Sequence, residues 1–214
     1  MAILLGKLFR AFKKKSMKGE QKKAIAEQFQ AELDNDVRFQ EMLKRKEENR
    51  NLKEKILNDD AHALMLELRE AGFSINSVWD FVNTTEDYAK AVSILVKHLS
   101  YDYMERNKEG IVRALAIKSA KGLANAALID EYNKTPPERH YYRWAIGNTL
   151  NYLVSKDDID KIIPIVLDKS NGDSRDMFIK ALGKFKIQKV KETLEQLVKD
   201  DEVSRYVGAI LKRW

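Results

Sequence analysis

Three stretches decide the fold: "EGIVRALAI" (109–117), "WAIGNTLNYL" (144–153) and "DMFIKALGKF" (176–185). Each is an apolar run at helical spacing built around a small residue and a leucine: Ala114-Leu115, Thr149-Leu150 and Ala181-Leu182. The leucines stand 35 and 32 residues apart. Ahead of each lies another apolar helix, in "AVSILVKHL" (91–99), "ALIDEY" (127–132) and "IIPIVLDK" (162–169). A fourth unit, "TLEQLVKDDEVSRYVGAIL" (193–211), places Ala209-Ile210 a further 28 residues on. Paired helices with a period of about 30–40 residues predict an α-solenoid, because one pair cannot cover its own apolar face and must stack on the next.

Local signals agree. "HALMLELREAGF" (62–73) carries an apolar stripe and reaches Gly72, a C-cap residue. In "SVWDFVN" (77–83), Ser77 precedes Asp80 by three positions, the spacing of an N-terminal capping pair. "TPPERHYYRW" (135–144) offers Thr135 as N-cap, Pro136 as first helical residue and Glu138 to close a capping box. Asp173 or Ser174 is expected to cap the helix of "DMFIKALGKF". The expected fold is all-α: a right-handed superhelix of helix pairs over residues 58–214. Residues 1–57 are expected to form a charged helical extension of two or three weakly amphipathic helices, broken near "LDND" (33–36).

These stretches resemble HEAT repeats. "EGIVRALAI", "WAIGNTLNYL" and "DMFIKALGKF" look like second helices of the repeat, and "AVSILVKHL" and "IIPIVLDK" like first helices. "LREAGFSINSVWDFVNTTEDYAKAVSILVKHL" (68–99) resembles the lead-in of small bacterial HEAT-repeat proteins. The likeness runs over roughly residues 60–214 and implies an armadillo-like helical scaffold that holds another macromolecule. One branch of HEAT-like proteins, the alkylpurine DNA glycosylases, holds a damaged nucleotide with tryptophans and an aspartate. Trp79, Asp80, Arg143 and Trp144 supply such residue types, at no spacing that requires that chemistry.

Composition narrows the function classes. The absence of cysteine removes disulfides, thiol nucleophiles and Cys-ligated metal sites. Only 9 Gly and 3 Pro are present, too few punctuators for many short strands. No run approaches the ~20 apolar residues of a spanning helix. The N-terminus lacks the order of a secretory signal, so a cytoplasmic location is expected. The net charge of +6 is confined to one end. Residues 1–23 hold eight cations against Glu20 alone, while the rest carries 31 Lys and Arg against 32 Asp and Glu. A near-neutral body lacks the broad basic face of a nucleic-acid binder.

The N-terminal arm, "MAILLGKLFRAFKKK", is amphipathic as a helix. Leu4, Leu5, Leu8, Phe9 and Phe12 span an arc of about 140°. Lys13 and Lys14 lie opposite and Lys15 off the pattern. Such an arm suits a cap on the end of a solenoid or a docking element, and equally an anionic membrane surface.

Arg113, Asn148 and Lys180 share one repeat position, two before the motif leucine, and are expected to form a polar row on one face. Arg106, Arg139 and Arg175 precede or begin the same helices, with Glu109, Glu138 and Asp176 as the acids that would neutralise them. In "HYYRW" (140–144), one reading makes Tyr141, Tyr142 and Arg143 a binding ledge. The competing reading packs Tyr141 and Trp144 between repeats and turns Tyr142 and Arg143 to solvent. His62, His98 and His140 are isolated in sequence and read as polar-face or loop residues. No catalytic motif, cofactor or metal site is expected. The expected function is a non-enzymatic binding scaffold whose partner is a protein. A nucleic-acid binder or glycosylase-like enzyme acting through Arg113, Arg143 and Lys180 is one alternative, and peripheral membrane association through residues 1–15 the other.

Overall fold

The computed structural model describes residues 19–214. The arm residues Leu4, Leu5, Leu8, Phe9, Phe12 and Lys13 to Lys15, and with them the membrane alternative, lie outside the described residues. Every regular element among the described residues is helical, and none of these helices is long and apolar enough to cross a membrane. The chain divides into two compact units, Met1–Ile56 and Leu57–Trp214.

In the first unit α1 (Gly19–Asn35) is followed by α2 (Val37–Asp60), whose C-terminal turn belongs to the second unit. The break falls within "LDND", where the Asp36 carboxylate accepts the N–H groups of Arg38 at 2.9 Å and Phe39 at 3.2 Å. An aspartate there satisfies donors that the new helix leaves without partners. No residue of α2 is buried, and Met42, Leu43, Leu52 and Ile56 are exposed. Its apolar side chains are too sparse to close a core.

The second unit holds the core. α3 (His62–Glu70) ends as its glycine requires. Gly72 adopts φ +92°, and the N–H groups of Gly72 and Phe73 reach back to the carbonyls of Arg69 at 2.9 Å and Leu68 at 3.0 Å. This is a Schellman motif, closed by a left-handed residue that a side chain would strain. α4 (Trp79–Val82) follows: Asp80 accepts from the Ser77 N–H at 3.2 Å and Ser77 Oγ from the Trp79 N–H at 3.3 Å.

The remaining helices alternate in two rows. α5 (Val92–Leu99) packs on α6 (Glu105–Ala114), α7 (Asn125–Lys134) on α8 (His140–Leu153), α9 (Ile159–Leu167) on α10 (Asp176–Leu182), and α11 (Gln188–Leu197) on α12 (Ser204–Leu211). First helices touch first helices, as α3 does α5 and α5 does α7. Second helices do the same, through α4, α6, α8 and α10. Leu115, Leu150 and Leu182 are fully buried, so the repeated leucine of the sequence is the repeated anchor of the core. Ile210 is half-buried.

Two expected helix starts are displaced. α8 begins at His140 rather than Pro136, because Thr135 Oγ1 donates back to the Glu131 carbonyl at 2.7 Å and finishes α7 instead of capping α8. α10 begins at Asp176, and neither Asp173 nor Ser174 caps it. Ser174 is buried, with its Oγ 2.7 Å from the Tyr132 hydroxyl and donating to the Asn171 carbonyl at 2.6 Å.

The second row is tight where glycine stands. A Cβ on Gly147 of α8 would come within 2.9 Å of the Phe178 ring and 3.1 Å of Met177 Cβ, both on α10. Phe178 is fully buried and cannot retreat. At Gly208 of α12 nothing lies within 4 Å of the same position. Gly147→Ala should therefore lose about 1–3 kcal/mol through overpacking, outweighing its gain in helix propensity, whereas Gly208→Ala should gain up to about 1 kcal/mol. Urea unfolding of the two variants checks the opposite signs.

Candidate functional site

The sequence brings forward eight candidate residues, and the structure separates them into an interior set and a surface set. The interior set follows from a register that the sequence reading passed over. Counting back seven positions from the motif leucines gives Lys108, Arg143 and Arg175, three cations in equivalent places and all buried. Seven residues is close to two helical turns, so each cation lies on the leucine's side of its helix.

Each cation is met by oxygen or by an aromatic face. Lys108 Nζ donates to the Leu99 carbonyl at the end of α5 and lies 2.8 Å from the Glu131 carboxylate of α7. The Arg143 guanidinium stacks 4.2 Å from the centre of the Tyr132 ring and donates to Asn171 Oδ1. Arg175 donates to the carbonyls of Gly172 at 2.9 Å and Val166 at 3.4 Å, and to the carboxylates of Asp200 at 2.9 Å and Glu202 at 2.6 Å. A cation at the end of a first helix suits the partial negative charge there. The Asp200 carboxyl is held below its usual range chiefly by this hydrogen bond from Arg175.

Tyr142 joins the interior. It is 1% exposed, its hydroxyl donates to Glu131 at 2.8 Å, and burial followed by the Glu131 charge drives its pKa far upward. The solvent-facing orientation of Tyr142 and Arg143 is thus reversed. Tyr141 is 79% exposed and Trp144 40%, while Arg143 is 4% exposed. Arg139 lies over the Tyr142 ring and pairs with Glu105 at 2.7 Å rather than with Glu138. Arg175 pairs with Asp200 and Glu202 rather than with Asp176.

The surface set lies on the second-row helices. Arg113 is half-buried and bonds Glu109 at 2.7 Å, while Asn148 and Lys180 are exposed. Arg106 covers the Trp79 ring at 3.6 Å and stands 4.0 Å from Glu109. On α8, Tyr141, Trp144, Asn148 and Tyr152 are all exposed, at intervals of three and four residues that place them on one strip. α8 is enclosed by α6, α7 and α10, so this strip is the surface it leaves open. Beside it a groove of about 460 Å³ runs between the 81–88 segment and the ends of α6 and α8, with Thr84, Arg113, Ile117 and Asn148 in its walls. Further along, Lys184 donates to the Asn151 carbonyl, and burial followed by the charges of Lys180 and Lys121 lowers its pKa. Lys121, Lys180 and Lys184 have no carboxylate within 4 Å among the described residues.

The residue types of the glycosylase resemblance have other engagements. Trp79 Nε1 donates to the Arg106 carbonyl at 3.2 Å, Asp80 accepts from Asn76 and Ser77, and Arg143 is buried. His98 is not a surface residue: it is fully buried, with Nδ1 2.6 Å from the Tyr103 hydroxyl and Nε2 3.2 Å from Glu67. His62 and His140 are exposed. Among the described residues no three of His, Cys, Asp and Glu stand together as metal donors would. No protein family, curated protein or solved structure matches this chain.

Two outcomes follow from the separation. Arg175→Met should cost about 3–5 kcal/mol by leaving Asp200 buried without its partner. Lys180→Met on the open row should change stability by under about 0.5 kcal/mol. Denaturant melts of the two variants read the difference. Because Asp200 is depressed in the folded state, it contributes stability above the usual aspartate pKa of about 3.9 and loses it as pH falls through the lower folded value. Circular dichroism melts between pH 5 and pH 2 should show a shallower acid loss in Asp200→Asn than in the wild type.

Proposed function

We propose that this chain is a HEAT-like α-solenoid acting in the cytoplasm as a non-enzymatic binding scaffold, and that the second-row face of helices α6, α8 and α10 receives a protein partner. The two-row stacking of helix pairs and the recurrence of buried leucines and cations at matching positions support the HEAT-like reading of the fold. The observation that carries the function is the open strip of α8. A helix enclosed on three sides would ordinarily show water polar residues, yet this one shows Tyr141, Trp144 and Tyr152 around Asn148.

Large aromatics exposed together are costly unless something covers them, and tyrosine and tryptophan dominate the energetics of protein interfaces. Nucleic acid has weaker support. Of the three cations that reading uses, Arg143 is internal and Arg113 is held by Glu109, so only Lys180 is free, joined by Lys121 and Lys184 at one end of the face. A phosphate track needs several free cations in line.

The test is site-specific photocrosslinking from benzoylphenylalanine at Asn148 on α8 or at Asp130 on α7, in extracts of the cells that make the protein. The expected result is a discrete protein adduct from position 148 and none from position 130. Adducts to nucleic acid, or the same adducts from both positions, would refute the reading.

A further inference from the structure

We propose that the C-terminal half of the second-row face, from the Arg113–Asn148 groove to Lys180 and Lys184, is a docking surface for an extended acidic segment of a partner protein. The proposal rests on the binding-scaffold reading and supplies the chemistry of the occupant.

Charge is distributed unevenly over equivalent positions. Two before the motif leucine stand Arg113, Asn148 and Lys180; two after it stand Ile117, Tyr152 and Lys184. Six before it stand Glu109, Trp144 and Asp176. Positions that match in the repeat align across neighbouring helices, so the face is acidic toward the helix starts and basic toward their ends. The two acids of the first half are not free alike. Glu109 is bound to Arg113, while Asp176 is half-buried and its pKa is raised by burial and then by Asp173.

The basic half holds charge that no carboxylate among the described residues pairs with. Lys180, Lys184 and Lys121 have no carboxylate within 4 Å among the described residues, although most cations of the neighbouring helices do. Burial, and then the nearby charges of Lys180 and Lys121, make the ammonium form of Lys184 less favourable. A carboxylate placed among them would offset those charges. The lysines lie beyond Asn148, whose exposed amide offers both a donor and an acceptor to a passing main chain. Beyond Asn148 the 460 Å³ groove adds apolar walls from Phe81, Val82 and Ile117 for one or two side chains. Cations, a bifunctional amide and a small apolar slot fit a peptide that combines acidic and apolar residues.

The same layout disfavours a nucleic-acid strand. The ring of Trp144, a natural stacking platform, shares its end of the face with Asp173 and Asp176, and the groove carries Glu86. Phosphates would be repelled at the Trp144 ring.

The experiment is selection of a random twelve-residue library displayed on phage against the full-length protein. A counter-selection uses the Lys180→Glu/Lys184→Glu variant, and Lys161→Glu on α9 serves as the charge control. The expected peptides are enriched in Asp and Glu with interspersed Leu, Ile or Phe. Each reversal at 180 or 184 should weaken a selected peptide roughly tenfold, with Lys161→Glu without effect. Circular dichroism confirms that the variants are folded, as exposed reversals should leave them. Three outcomes would overturn the proposal: enriched peptides that are neutral or basic, enrichment indifferent to Lys180 and Lys184, or displacement of the peptide by equimolar dT20. The first two, alongside a discrete protein adduct from position 148, would leave the scaffold reading standing; loss of that adduct removes both.

Discussion

The structure depends on buried cations at or near the starts of three second helices, α6, α8 and α10. Lys108, Arg143 and Arg175 occupy one repeat position, and each is caught between its own pair and the next. Lys108 joins the end of α5 to Glu131 on α7, and Arg175 joins the end of α9 to Asp200 after α11. A charge withdrawn from water is tolerated only with partners in place. Those partners sit on neighbouring helices and on the segments that join them, so satisfying the charge fixes the rotation of the second helix about its axis. Once that rotation is set, the identity of the outward residues follows.

On α8 the consequence is specific. Arg143 faces in over Tyr132 and Tyr142 faces in toward Glu131, so Tyr141 and Trp144 face out. Asn148 is two turns beyond Tyr141 and Tyr152 one turn further, which makes a single strip of four. The glycines act in the same sense. Gly147 lets α10, which carries Lys180, approach to the point where Phe178 fills the space a methyl would take. Packing and function are thus opposite sides of the same helices.

Much of this was legible in the sequence. The leucine period located the second helices, Gly72 marked the end of α3, the Ser77–Asp80 spacing marked the start of α4, and Asn148 and Lys180 lie exposed at matching positions. What failed was the sense of "HYYRW". Tyr, Trp and Arg each carry an apolar body with a polar tip, so hydropathy alone does not tell which face they take. Glu131, Asn171 and Tyr132, which receive Tyr142 and Arg143, lie at least eleven residues away in sequence, where spacing rules do not reach. The motif leucine did carry the signal: seven and eight positions before Leu150 stand Arg143 and Tyr142, on its own face. Taking Arg106, Arg139 and Arg175 as comparable residues mixed three different repeat positions and hid the row of buried cations. Thr135 misled for another reason, since a threonine at a junction serves the helix behind it as readily as the one ahead.

The rotation of α8 decides which side chains face out, and because the chain has no cysteine it is open to direct measurement by thiol labelling. Asn148→Cys and Thr149→Cys place a thiol on adjacent residues, one exposed and one 1% exposed beneath α6, where Thr149 Oγ1 now donates to the Val112 carbonyl at 3.0 Å. Position 148 should react with a thiol reagent at nearly the rate of an unfolded peptide, while position 149 should react only as fast as the protein unfolds. Equal rates at the two positions, or faster reaction at 149, would contradict this rotation of α8.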